Sequence, residues 1–155
     1  MKTKEASRQL RRIARASASD IKKNVDFLTG GTWVGAYEDS LYNVPSKGGL
    51  VDYNIPAGDI VIKFSPRTDG DSTFTADRVI TYEGENYPET FIGSVTPGGR
   101  VVMNSLSDTD ILIGEINARA GTLSLLFVDD GNSEDSLASQ TAVGTYVFAN
   151  VSQIV

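Results

Sequence analysis

The sequence contains no histidine, no cysteine and only one tryptophan. Without cysteine there are no disulfide bonds, no thiolate nucleophiles and no thiolate metal sites. Without histidine there are no histidine metal sites and no serine–histidine or cysteine–histidine pairs, and the most common general base is missing. Catalysis by the chain's own side chains therefore depends on carboxylates, tyrosine, lysine, arginine or the shape of a cavity.

Long hydrophobic runs are also absent: none approaches the roughly 18 apolar residues of a membrane span. Among 155 residues, 40% are hydrophobic and 22% charged, which is typical of one globular domain. We expect no membrane span, no secretory signal and a cytoplasmic location. An N-terminal targeting leader stays an alternative, because the first residues are rich in arginine and serine and poor in acids.

Charge is distributed unevenly along the chain. Residues 1–23 hold eight basic and two acidic residues, a net charge of +6, whereas the remainder holds six basic and eighteen acidic residues, a net charge of −12. A basic arm can bind nucleic acid, but the acidic remainder would repel phosphate. We therefore expect no nucleic-acid partner, and the two parts of the chain have different roles.

Residues 1–29 are predicted to form a basic amphipathic helix, and residues 30–155 the main domain. Apolar side chains recur every three or four residues and occupy one helical face; they are Leu10, Ala14, Ala18, Ile21, Val25 and Leu28. Gly30 and Gly31 end the helix. We expect it to dock on the acidic body as a lid or flank.

From Gly31 onward the pattern is that of β-strands. Strands are predicted at 32–43, 48–54, 59–65, 72–83, 88–96, 100–106, 110–117, 122–129 and 141–151, separated by short turns rich in proline, glycine and aspartate. Eight or nine strands without intervening helices indicate an all-β, antiparallel meander. We expect it to close into a barrel of about eight strands, since closure removes the exposed sheet edges.

Alternation within the strands indicates which side chains line the barrel. Ile60, Ile62 and Phe64 share a face, and a second strand places Arg78 on the face of Phe74 and Ala76. Apolar residues also occur on the opposite faces of the later strands. The helix or a second copy of the chain, in a homodimer, would cover that outer surface.

The stretch WVGAYEDSLYN supplies the catalytic candidates. Unbroken alternation places Asp39 on the face of Trp33 and Tyr37, where burial would raise the pKa of its carboxyl group and Tyr37 would polarise a carbonyl. Asp39 is equally consistent with a charge at the end of a strand. Arg78 and Glu115 each interrupt an apolar face, so they are candidates to pair across the lumen, although an exposed face would explain both.

Further residues are predicted to bind an apolar ligand from inside the barrel. They are Trp33, Phe64, Phe74, Tyr82, Phe91, Met103, Phe127 and Tyr146. Gly93, Gly114 and Gly144 lie inside strands and are predicted to mark bends or bulges. The acidic loop 129–135 is rich in oxygen ligands, but its spacing does not fit an EF-hand and it is equally consistent with a solvated loop. We predict no metal site and no cofactor.

The stretches GAYEDSLYN and DIVIKFSPRTDGDSTFTADRVITYEG resemble the first half of small bacterial barrels related to allene oxide cyclase. That group includes the Diels–Alderase-type cyclases of spirotetronate and spirotetramate pathways. The shared features are an acidic pair before Leu-Tyr and a strand ending in a Pro-Arg-Thr-Asp-Gly turn. The second half departs from that family, so the resemblance assigns no catalytic residue.

A second resemblance is to lipocalin-like barrels, whose first strand opens with Gly-x-Trp as Gly31-Thr32-Trp33 does here. Avidin-type biotin binding is rejected because a single tryptophan leaves the further ligand-contacting tryptophans missing. Both resemblances imply an antiparallel barrel with an apolar cavity. We hypothesise that the lumen binds an elongated apolar small molecule and catalyses its cofactor-free cyclisation or isomerisation, of the [4+2] type, in natural-product biosynthesis. The alternatives are a lipocalin-like carrier and a structural barrel with a filled core.

Overall fold

The computed structural model describes residues 2–44, 48–52, 59–67, 72–107, 110–129 and 141–151. One helix precedes nine strands in these ranges. They are α1 (Lys2–Thr29), β1 (Thr32–Val44), β2 (Gly49–Asp52), β3 (Ile60–Pro66), β4 (Thr73–Tyr82), β5 (Glu85–Val95), β6 (Arg100–Ser105), β7 (Ile111–Asn117), β8 (Thr122–Asp129) and β9 (Thr141–Asn150).

The strands form a closed antiparallel barrel, which confirms the predicted fold class. Strands β3 to β9 follow one another in meander order, and β1 closes the ring by pairing with both β3 and β9. Eight strands make the wall. Strand β2 pairs with the far half of β1, from Leu41 to Val44, beyond the part of β1 that meets β3.

The barrel has two ends, which we name by the position of α1. The helix end carries the α1–β1 turn and the β3–β4, β5–β6 and β7–β8 connections. The far end carries the β1–β2, β4–β5, β6–β7 and β8–β9 connections.

Only the last part of α1 packs against the barrel. Val25 and Leu28 are buried, while Ile21 and Phe27 are partly buried against the core. The Asn24 side-chain amide donates hydrogen bonds to the carbonyls of Thr96 (2.9 Å) and Pro97 (3.1 Å) in the β5–β6 turn. The helix ends at Thr29, directly before Gly30 and Gly31, the residues predicted to end it.

Trp33 seals the helix end. It is fully buried, and its indole Nε1 donates a 2.9 Å hydrogen bond to the Leu28 carbonyl at the end of α1. Edge-to-face contacts link Phe27 to Trp33, Trp33 to Phe64 and Phe64 to Phe74, with ring centroids 5.3, 6.4 and 5.4 Å apart. Such contacts add stabilisation beyond the area they bury, so an aromatic chain joins the helix to the barrel interior.

The barrel interior is filled by side chains from alternating positions. The buried wall residues are Trp33, Ile60, Ile62, Phe64, Phe74, Ala76, Phe91, Val95, Val101, Met103, Leu112, Leu123, Leu125, Phe127, Tyr146 and Phe148. An eight-stranded barrel is just wide enough for its side chains to fill it. The described lumen is therefore a packed apolar core between the helix end and Arg78.

Gly93 and Gly114 are required by close approach. The ladder passes both without a register shift, so the predicted bulges are wrong there. A Cβ at Gly93 would lie 2.5 Å from the Phe74 ring, and one at Gly114 would overlap the Ser124 carbonyl oxygen on the neighbouring strand. The missing side chains let interior rings and backbone occupy that space.

We expect Gly114→Ala to destabilise the protein by about 2–3 kcal/mol or more, because the methyl group forces β7 away from β8. Gly98→Ala is the control, since its Cβ would meet only the Thr96 hydroxyl at 3.9 Å. Urea unfolding followed by emission of the buried Trp33 measures both free energies of unfolding. Equal stabilities would contradict the packing role of Gly114.

Candidate functional site

Arg78 is a buried cation inside the barrel. Alternation along β4 places it on the inner face with Phe74 and Ala76, as predicted, and only 5% of it is exposed. A buried charge is tolerated only when ion pairs and hydrogen bonds replace the lost water. The surroundings of Arg78 therefore define the most polar part of the interior.

Two strands and one loop supply the partners of Arg78. Its Nη2 donates to Glu89 Oε2 and to Asp110 Oδ2, the latter at 3.1 Å, and its Nη1 donates to the Tyr146 hydroxyl at 3.1 Å. Glu89 lies directly opposite Arg78 on β5, Asp110 immediately precedes β7, and Tyr146 lies on β9. We call these four residues the Arg78 cluster.

The environment strengthens these interactions. The Arg78 guanidinium carbon lies 5.0 Å from the Phe91 ring centroid and 5.8 Å from that of Tyr146, within range of cation–π attraction. The Glu89 and Asp110 side chains are 10% and 13% exposed. Two carboxylates face one guanidinium, so the cluster carries a net negative charge in a largely dehydrated setting when all three groups are ionised.

Glu89 has unused hydrogen-bonding capacity. Its Oε1 is buried and has no hydrogen-bond partner among the described residues. A buried acceptor without a donor costs about 1–3 kcal/mol. This oxygen has almost no accessible surface in its present orientation, and it can accept one more hydrogen bond when the carboxylate turns it toward the cavity.

A cavity of about 350 Å³ lies at the far end of the barrel, on the side of the cluster that faces away from α1. Its wall contains Arg78, Asn86, Tyr87, Pro88, Glu89, Ser107 and Asp110. This volume lies at the lower end of the range for small-molecule sites. The cluster forms the floor, and the start of β5 forms one side.

Tyr87 adds a protonated hydroxyl to the rim of the cavity. The negative charge of Glu85, together with a 3.2 Å hydrogen bond from the Tyr87 hydroxyl to Glu85 Oε2, raises the pKa of this phenol above its usual value. The group therefore stays a neutral hydrogen-bond donor at neutral pH.

Seven of the predicted ligand-binding residues lie in the barrel interior. Trp33, Phe64, Phe74, Phe91, Met103, Phe127 and Tyr146 are buried there, where they pack against one another. Tyr82 lies near the far-end turn of β4 and is 36% exposed. Phe91 and Tyr146 contact Arg78, and the others form the core beneath it. Contact of any of them with a ligand stays a prediction.

The catalytic candidates lie on a strand whose register changes between them. Tyr37 pairs with Tyr146, on the inner side of the ladder, but a bulge between 37 and 39 places Asp39 opposite Thr145. Thr145 alternates with buried Tyr146, so position 39 falls on the outer side, contrary to the shared face that unbroken alternation assumes. The side chains of residues 37–40 lie outside the described part of the structure, and both catalytic roles stay predictions.

The proposed pairing of Arg78 with Glu115 is wrong. Glu115 lies on the outer face of β7, 3.7 Å from Arg100, and both side chains are largely exposed. The actual partners of Arg78 were missed. Alternation along β5 puts Glu89 on the face of Phe91, but its position opposite Arg78 depends on the register between β4 and β5. Asp110 follows a connection and had no periodic signal.

Two further predictions concern metal binding and a membrane span. The acidic loop lies almost wholly outside the described residues, so calcium binding there stays untested. Among the described residues, no three acidic side chains gather as a metal site, and no helix is long and apolar enough to cross a membrane.

No protein-family model matches this chain, and no curated protein does so either. Its function must therefore be argued from the barrel and the Arg78 cluster.

We expect Arg78→Met to destabilise the protein by about 3–5 kcal/mol, because it leaves two buried carboxylates without their cation. Arg100→Met is the matched control and should change stability by less than about 1 kcal/mol, since its ion pair is exposed. Urea unfolding at neutral pH measures both. Combining Arg78→Met with Glu89→Gln and Asp110→Asn should recover part of the loss, and no recovery would contradict an electrostatic cause.

Proposed function

We propose that the protein binds a small organic molecule in the far-end cavity, with a hydrogen-bond donor of the ligand on Glu89. The observation that carries this proposal is the buried Glu89 Oε1, which has no partner among the described residues, on a carboxylate that lines a cavity of about 350 Å³. A hydroxyl or amine on a ligand would satisfy that oxygen once the carboxylate turns it toward the cavity.

The packed interior decides where such a ligand is held. Below Arg78 the lumen is filled by fully buried aromatic and aliphatic side chains, including Phe74, Phe91 and Met103. An elongated apolar molecule threading the lumen would have to displace the whole Arg78 cluster. We therefore place the ligand above the cluster, with its apolar part against Tyr87 and Pro88 at the rim.

The reaction we propose is a cofactor-free cyclisation or isomerisation. A carboxylate held by a guanidinium can accept a proton or orient a hydroxyl, and confinement in a small cavity lowers the barrier of a unimolecular ring closure. Two features support this chemistry over nucleophilic catalysis: the sequence lacks histidine and cysteine, and residues 35–43 and 59–84 resemble cyclase barrels. A carrier would use the same cavity without a reaction.

The second candidate function is a structural barrel without a ligand. It is favoured by the completeness of the packing, since the buried apolar residues of the wall are at most 5% exposed. In this case Glu89 and Asp110 serve only to neutralise Arg78.

Native mass spectrometry of protein purified from its own host, with extraction of small molecules, separates these functions. We expect the unaltered protein to carry a bound molecule and the Asn86→Trp variant to carry none, because the larger side chain fills the cavity. Asn86 is an exposed wall residue outside the core. Asn104→Trp is the matched control, since Asn104 is exposed on β6 and is not a wall residue of this cavity.

The outcomes distinguish enzyme, carrier and structural barrel. A molecule that the protein rearranges from its linear precursor supports the cyclase, and one that it retains unchanged supports the carrier. An empty protein that also fails to take up Nile red, a neutral apolar fluorophore, leaves the structural barrel. Equal ligand retention by the Asn86 and Asn104 variants would contradict binding in the far-end cavity.

A further inference from the structure

Most of α1 extends beyond the barrel. Every side chain from Thr3 to Ala16 is exposed, and the buried contacts of the helix begin near Ile21. We call residues 2–20 the arm. A helix of this length spans about 28 Å. The exposed arm lacks the tertiary contacts that stabilise the end of α1. An isolated helix of this size is marginal in water, so the arm would gain stability from a binding partner.

The arm continues the face by which α1 docks. Leu10 and Ile13 follow the same helical stripe as Ile21 and Leu28, yet they are 65% and 55% exposed. Basic side chains occupy the opposite face; they are Lys4, Arg8, Arg11, Arg12 and Arg15. The arm therefore presents an exposed apolar stripe bordered by positive charge.

The outer face of the barrel carries a second exposed apolar surface. Two rows of directly paired side chains cross it: Val102, Ile113 and Leu126 in one, and Ile111, Val128, Val143 and Leu41 in the other. Each is 37–48% exposed. Contiguous apolar surfaces of this kind mark interaction sites on globular proteins. We call these seven residues the outer apolar patch.

Charge and size make the two surfaces complementary. The arm holds six basic and two acidic residues, whereas the rest of the chain holds eight basic and eighteen acidic residues. Strands β3 to β9 are six to eleven residues long. With the tilt of barrel strands they give a wall about 15–28 Å high, which the arm is long enough to cross.

We propose that the arm of one copy binds the outer apolar patch of a second copy, in a reciprocal dimer. Leu10 and Ile13 pack on the aliphatic rows, and the basic face of the arm lies in the field of the acidic barrel. Two such contacts bury on the order of 1,000 Å² in total, the threshold for a specific interface. This assembly is independent of the ligand proposed above.

Sedimentation velocity of the full chain tests the proposal. We expect a dimer in about 50 mM salt that dissociates at least tenfold more readily in about 500 mM salt, because screening weakens the charge attraction. Leu10→Glu with Ile13→Glu should abolish it. Arg15→Gln with Ser19→Glu is the matched control, because it lowers the charge of the arm by the same two units at exposed positions on the face opposite Leu10 and Ile13, and it should retain most of the dimer.

A variant of the patch completes the test. Ile113→Glu should weaken self-association at least a hundredfold, whereas Ser65→Glu, exposed on the outer face of β3, should not. Circular dichroism and Trp33 emission establish that each variant is folded. Mixing the arm variant with the patch variant should restore a heterodimer through the one intact contact, detected with one fluorescently labelled partner.

Other results would overturn the proposal. A wild-type chain that stays monomeric at about 100 μM excludes the dimer, and binding of that monomer to vesicles containing phosphatidylserine would assign the arm to an anionic membrane surface. A dimer lost only in the patch variant would indicate patch-to-patch packing, and one lost only in the arm variant would indicate arm-to-arm packing. Failure of the mixture to associate would exclude an arm-to-patch contact.

Discussion

The neutralisation of one arginine inside the barrel is the constraint on which the far-end half of the barrel depends. Arg78 can remain charged in an apolar interior only if acceptors surround it at contact distance. Glu89 on β5, Asp110 before β7 and Tyr146 on β9 provide them. The cluster therefore fixes the β4–β5 register, the approach of the β6–β7 connection and the position of β9 across the lumen.

The same constraint divides the interior into two regions of different chemistry. Between the helix end and Arg78, side chains are apolar and closely packed, and the Trp33–Leu28 hydrogen bond seals the end. Above Arg78 the walls are polar and a cavity remains. Exchange with solvent or a ligand is therefore easiest at the far end, where it requires no rupture of the apolar core.

The architecture was predictable because alternation is a local property. Ile60, Ile62 and Phe64 revealed their buried face without knowledge of any partner strand, and Arg78 was correctly placed among interior residues. The ion pairs were not predictable, since they depend on registers between strands distant in sequence. The bulge after Tyr37 left no signal in the sequence, and it reversed the side assigned to Asp39. One added residue exchanges the two faces of a strand.

The part of α1 that docks on the barrel is the part that carries the larger apolar residues. These residues are Ile21, Val25 and Leu28, and the burial of the helix against the barrel core begins with them. The preceding part offers mainly alanine and serine on the same stripe, with Leu10 and Ile13 as the large apolar residues. Such a thin stripe gives too little apolar burial to stabilise a helix alone. Its opposite charge to the barrel nevertheless provides a long-range attraction that a second copy can use without changing the packed core.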